Sequence, residues 1–158
     1  MNQKVSKPVF DYLYHHLADI HNRKMKIINS FSIDFDEYMK MLDYIKSYIN
    51  QFERFLSDVN VMDGKDALPF VIYNCVVSLK TDSGESWQCC VTLPKEDCEE
   101  AWNIPGVLML SCNSSAAFEL MLKRCGEKVD IERSGRVQKC TIKRIEPNPY
   151  IPVVQQEV

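Results

Sequence analysis

The chain has 158 residues, 46% of them hydrophobic and 26% charged, with a formal net charge of −3. That composition fits one ordinary domain or two small ones and excludes long disorder, while the mild acidity weighs against a free-standing nucleic-acid binder, which is usually basic. No apolar run approaches the ~20 residues of a membrane span, and MNQKVSKPVF lacks the apolar stretch of a secretory signal, so a cytoplasmic protein without a membrane partner is expected.

The first element is a helix. Phe10, Leu13, Leu17, Ile20, Lys24 and Ile27 recur at heptad spacing, the seam of a coiled coil. Ser6 suits its N-cap, and Pro8 sits in the first turn, where a missing N–H is harmless. The second helix repeats the pattern with Phe35, Tyr38, Leu42, Ile45, Ile49, Phe52 and Leu56. The break between them, near NSFSI at 29–33, is short, so the two should pack as antiparallel neighbours. Residues 1–58 are thus expected to form a helical hairpin with arms of ~33 Å at the standard rise.

Between the arms lies SFSIDFDEYMK (30–40), with Asp34, Asp36 and Glu37 crowded together. Asp34 can cap the second helix and Glu37 can complete a capping box. Acids there also suit the helix dipole. The same three carboxylates could instead form a working tip.

Residues 59–69 read as a linker with an Asp63-Gly64 turn signal. After it the period changes from helical to alternating. FVIYNCVVSL (70–79) and WQCCVTL (87–93) form a hairpin around TDSGES. PKEDCEEAWN (94–103) is a polar excursion, and VLMLS (107–111) is a short buried strand. SAAFELMLKRC is a short helix capped by Asn113 or Ser114 and stopped by Gly126. KVDIE (128–132) and VQKCTIKRIE (137–146) form the last hairpin, and 147–158, with three prolines, an extended tail. The fold class is therefore α+β, a helical hairpin followed by a mostly antiparallel sheet with one short helix on it.

The motifs for phosphate loops, dinucleotide sites and serine hydrolases are missing. Seven cysteines, none before Cys75 and none in a C-x-x-C pair, suit buried thiols better than disulfides or zinc. His15, His16 and His21 lack the i,i+4 metal spacing and read as solvent-facing helix residues. A basic set, Arg133, Arg136, Lys139, Lys143 and Arg144, lies late in the chain. Lys139 and Lys143 alternate with Cys140 and Ile142, the outer face of a half-buried strand. Solvation explains such a face, and so does docking to an acidic partner. Trp102, in the polar excursion, is a candidate partner contact beside the default of core packing.

The architecture and local sequence resemble the Gre transcript-cleavage factors of bacterial RNA polymerase and their relative Rnk. VVSLKTDSGESWQCCVTLP matches the family's first hairpin. VLMLSCNSSAAFELMLKRCGEKVDI resembles its strand, small-residue helix and G-D/E-x-V stretch, with Gly126, Glu127 and Val129 in place. GRVQKCTIKRIE resembles its closing strand. The match covers 70–146 by pattern and the hairpin by architecture. The family's Ser-Pro opening the short helix is Ser114-Ser115 here, and its Gly near the helix end is Leu122.

The resemblance implies an FKBP-like C-terminal domain docking on RNA polymerase core enzyme, with the hairpin entering the secondary channel. Tip acids there help hold a Mg²⁺ shared with the polymerase, near the nascent RNA, for two-metal hydrolysis. On this resemblance the chain is expected to have no cofactor and no metal site of its own. Matching Glu37-Tyr38 to the family's Glu-Tyr puts Asp34 at its second acid and Phe31 at its first. Sliding the register makes Asp34 and Glu37 the acid pair and loses the Tyr. The arms are also shorter than in cleavage factors. A channel-binding regulator without robust cleavage, not an enzyme itself, is therefore expected, with a true cleavage factor using Asp34, Asp36 and Glu37 as the alternative. A prolyl isomerase or other FKBP-like interaction module would need an aromatic-lined pocket drawn from Phe70, Tyr73, Trp87, Trp102, Phe118 and Tyr150.

Overall fold

The computed structural model describes residues 4–29, 34–61, 67–92, 106–112, 114–133 and 135–147. It divides into two compact units, Met1–Asp66 and Ala67–Val158.

The first unit is built on two helices, α1 (Lys7–Asn29) and α2 (Phe35–Asp58). Ser6 starts α1: its carbonyl accepts from Phe10 N–H at 2.9 Å and its hydroxyl from Val9 N–H at 3.3 Å. Two short strands, β1 (Lys4–Val5) and β2 (Asn60–Val61), flank the pair. They join in parallel at its open end, Lys4 opposite Asn60 and Val5 opposite Val61. No sequence signal marked them, because two residues are too few to show a period.

The expected seam is met in part, at Leu13, Ile20, Ile27, Ile45, Ile49 and Phe52, and neighbouring positions replace the rest. Val9, Leu13, Ile20, Ile27 and Ile28 of α1 are buried, as are Met41, Ile45, Tyr48, Ile49 and Phe52 of α2. Phe10, Leu17, Leu42 and Leu56 are only half-buried, and Phe35 is 73% exposed. Each helix carries two adjacent apolar stripes at heptad spacing, and packing selects the one centred on Leu13 and Ile45. His16 belongs to that selected stripe, so it turns inward instead of facing solvent. Its Nε2 lies 2.8 Å from the Tyr48 hydroxyl, and its ring is tilted against Phe52 with centroids 5.6 Å apart.

The second unit holds a five-stranded sheet of β3 (Cys75–Thr81), β4 (Ser86–Thr92), β5 (Val107–Ser111), β6 (Lys128–Arg133) and β7 (Arg136–Pro147), in the order β5-β4-β3-β7-β6. Every ladder is antiparallel except the parallel β4–β5 pair. One face carries the core, with Val77, Leu79, Cys89, Val91, Ile131, Cys140 and Ile142 buried. The short helix α3 (Ser115–Leu120) contributes Ala116, Ala117 and Leu120.

The first strand starts later than its composition indicates. Residues 70–73 are buried but irregular, and the half-buried Asn74 takes φ 68°. Asn tolerates this left-handed conformation better than most residues. The helix α3 ends at Leu120, well before Gly126. Met121 caps it, and Leu122 follows with φ 67°. Leu122 N–H donates to Val71 carbonyl at 2.8 Å and Val71 N–H to Lys123 carbonyl at 2.9 Å. This docking onto residue 71 is what holds a leucine where glycine is at ease. Gly126, at φ 91°, serves the turn that enters β6.

Candidate functional site at the hairpin tip

Asp34 is the N-cap of α2, in extended conformation at φ −138° and ψ 171°. Its Oδ1 accepts the Glu37 N–H at 2.8 Å, and its carbonyl accepts from Tyr38 N–H at 3.0 Å. The reciprocal half of a capping box, Asp34 N–H to the Glu37 carboxylate, is not made. One oxygen of Asp34 is therefore committed to the helix end and the other remains available.

Asp36 and Glu37 occupy the first turn, with Asp36 exposed and Glu37 half-exposed. Asp34 is extended and lies outside the helix, so helical rotation relates only Asp36 and Glu37, ~100° apart. Among the described residues there is no group of three potential metal ligands. Phe31, the position of the family's first acid in one register, lies outside the described residues.

The basic candidates lie on β6 and β7. Lys139 stands opposite Asp130 in the register, and their side chains pair at 3.2 Å while both stay mostly exposed. Lys128 pairs with Asp82 at 3.6 Å, and Arg144 with Glu146 at 3.2 Å. Exposed pairs of this kind add little stability, but they leave the face mixed in charge. Arg136 is exposed and pairs in register with Arg133.

Lys143 has a special place. Ser78 pairs with Arg144 and Leu79 with Ile142, so Lys143 is an extra residue in the β3–β7 ladder. Such a bulge breaks the alternation, which is why Lys143 and Arg144 are both exposed side by side. The neighbouring turn closes over this point: Gly126 N–H donates to Ile142 carbonyl at 2.8 Å, and Ile142 N–H to Glu127 carbonyl at 3.0 Å. Alternation alone could not reveal a one-residue register shift. Trp102 falls outside the described residues.

Of the aromatic candidates for a prolyl pocket, Phe70 and Tyr73 are buried in the core and Trp87 and Phe118 are half-buried, while Trp102 and Tyr150 lie outside the described residues. Of the cysteines, Cys75, Cys89, Cys90, Cys112 and Cys140 are buried free thiols and Cys125 is exposed. Burial pushes the Cys89 and Cys112 thiols up to about 12, and Cys75 higher still. Such thiols are poor nucleophiles and inert packing groups. Cys98 lies outside the described residues. No described helix is long and apolar enough to cross a membrane.

No family model matches the chain, and no curated protein matches it. Solved structures do. The GreA factor homolog 1 (Gfh1) of Thermus thermophilus is 20% identical, with 92% of this chain and 99% of that one covered and a TM-score of 0.41. The elongation factor GreA/GreB from Nitrosomonas europaea is 15% identical over 92% and 98%, with a TM-score of 0.44. Gfh1 of Thermus aquaticus is 17% identical over 92% and 98%, with a TM-score of 0.40. The likeness to these proteins is one of fold alone.

Proposed function

We propose that this protein binds RNA polymerase core enzyme and regulates elongation through the secondary channel, without robust transcript cleavage. The C-terminal unit is the docking module and the hairpin is the probe. What supports the docking half is local. Leu122 is left-handed where the family has Gly, and Ser114 is an N-cap where the family has Ser, which supports the resemblance of 70–146.

The observation that carries the regulatory half is the N-cap bond of Asp34. A Mg²⁺ ion takes about six oxygen ligands, and a cleavage tip must lend it carboxylates. Here one Asp34 oxygen is committed to the Glu37 N–H, and Asp36 and Glu37 diverge by ~100° round the first turn. Such carboxylates do not make a Mg²⁺ site alone, so any ion near them would depend on the polymerase. The second reading, a true cleavage factor, rests on those same acids.

The test is a halted, backtracked polymerase complex with Mg²⁺, to which the purified protein is added. Saturable retention on the complex with unchanged transcript length is the expected result. Shortened RNA, abolished by Glu37→Gln, would establish the cleavage reading instead. Absence of retention would overturn both.

A further inference from the structure

The hairpin carries a groove of about 490 Å³ towards its open end, within the ~300–1,000 Å³ of small-molecule sites. All of its lining comes from the first unit. Along α1 it runs from Phe10 to Asn22, ~18 Å at the helical rise. It stops about two turns short of Asn29, where α1 ends. Its apolar lining includes Phe10, Leu17 and Leu56, all half-buried, and the ring of Tyr14, 58% exposed. None of these belongs to the seam buried between the two helices. The rest of the lining is polar, with Glu53 and Ser57 on α2 and Asn22 on α1.

Glu53 decides what such a groove takes. His16 meets Tyr48 across the antiparallel pair, so Glu53, five residues further along α2, stands level with residue 11, between Phe10 and Tyr14. Among the described residues its carboxylate has no cationic partner. The α1 cations near the groove are engaged on their own helix, Lys7 with Asp11 at 3.3 Å and Arg23 with Asp19 at 3.2 Å. A carboxylate beside two aromatic rings draws a cation by charge and by ring quadrupole together, and it repels an anion. We propose that the groove binds an amphipathic organic cation, its ammonium at Glu53 beside Phe10 and Tyr14 and its apolar body along α1 towards Asn22. The mixture of apolar and polar lining suits a narrow amphipathic molecule, whereas a docked protein helix needs a continuous apolar strip. The site lies away from the acidic end of the hairpin, so its occupancy leaves Asp34 and Glu37 accessible. It stands independently of any binding to a polymerase.

The test is a heteronuclear NMR titration of the full chain at pH 7 with three probes that share one apolar body: octylammonium, 1-octanol and octanoate, each below its micellar concentration. Octylammonium is expected to shift the amides of residues 10–22 and 53–57 saturably, with a Kd roughly three- to fivefold below that of octanol, the worth of one exposed ion pair. Octanoate is expected to bind weakest. Glu53→Gln is expected to bring octylammonium to the octanol value with unchanged helical circular dichroism, and Ala18→Trp, which fills the groove, to abolish binding of all three. Absence of saturable shifts with octylammonium overturns the proposal, as do shifts that follow carboxylates outside the groove. Octanoate bound as tightly as octylammonium, or a Glu53→Gln variant that keeps the preference for the amine, overturns the cation as ligand. Should Ala18→Trp lose helicity, nuclear Overhauser contacts in the wild type decide: contacts from the octyl chain to the Leu17 and Leu56 methyls support the groove, and their absence overturns it.

Discussion

His16 donates or accepts a 2.8 Å hydrogen bond with the Tyr48 hydroxyl across the hairpin, with Phe52 against the other side of its ring. Burial lowers the imidazole from its ordinary 6.5 to about 3. The unfolded chain therefore binds a proton near pH 6.5 that the folded hairpin refuses. Stability from this site is complete above that value and falls as pH drops through the window, by up to ~1.4 kcal/mol per unit. Urea unfolding at pH 7, 6 and 5 is expected to show this decline, and His16→Leu to flatten it. Tyr48→Phe, which strips the ring nitrogen of its partner, is expected to cost ~1–2 kcal/mol at pH 7.

The Asp34 cap predicts a split between two substitutions. Asp34→Ala is expected to lower stability by ~1 kcal/mol, since it orphans the Glu37 N–H. Asp34→Asn keeps the acceptor and is expected to be nearly neutral. Thermal melts of the two variants check the split. The Asn variant then tests the role of the charge in transcription without a folding defect.

Leu122 predicts an unusual ordering. A non-glycine residue at φ 67° carries ~1–2 kcal/mol of backbone strain, partly offset by what the half-buried side chain gains. Leu122→Ala loses the packing and keeps the strain. Leu122→Gly loses the packing and relieves the strain. The glycine variant is expected to be more stable than the alanine variant by ~1 kcal/mol in denaturant titration, the reverse of their order inside a helix.

Ser115 is the first residue of α3, and Ser114 before it is extended at φ −81° and ψ 158°. That is the conformation required ahead of a proline. Ser115→Pro is expected to be neutral or stabilising by up to ~1 kcal/mol. Proline inside the helix, at Leu120, is expected to be strongly destabilising. Melting temperatures of the pair measure the contrast.

The element order was readable because long heptad segments and alternating strands carry strong periods, and Ser6, Asp34 and Ser114 cap helices by a rule of residue type. The seam was readable in part: Leu13, Ile20, Ile27, Ile45, Ile49 and Phe52 are buried as expected, but only packing between α1 and α2 chooses Val9 over Phe10 and Met41 over Leu42. His16 was misplaced for the same reason. The start of β3 was misread because 70–74 is as apolar as a strand, while its hydrogen bonds go to Lys123 and Leu122. At the tip, the crowding of Asp34, Asp36 and Glu37 was plain in the sequence. The commitment of Asp34 depends on where the first helical turn begins.

The parallel pairing of Lys4–Val5 with Asn60–Val61 has a mechanical consequence. A helical rod fastened only at its turn can splay like tweezers, and its free ends fray first. Here the ends are clamped together as well, and Val5, one of the paired residues, is buried. So short a pairing does not persist alone, so it stands or falls with the rod it closes. Opening the base and separating the arms become a single cooperative event, and a load applied at the acidic tip is resisted along the full length of the hairpin.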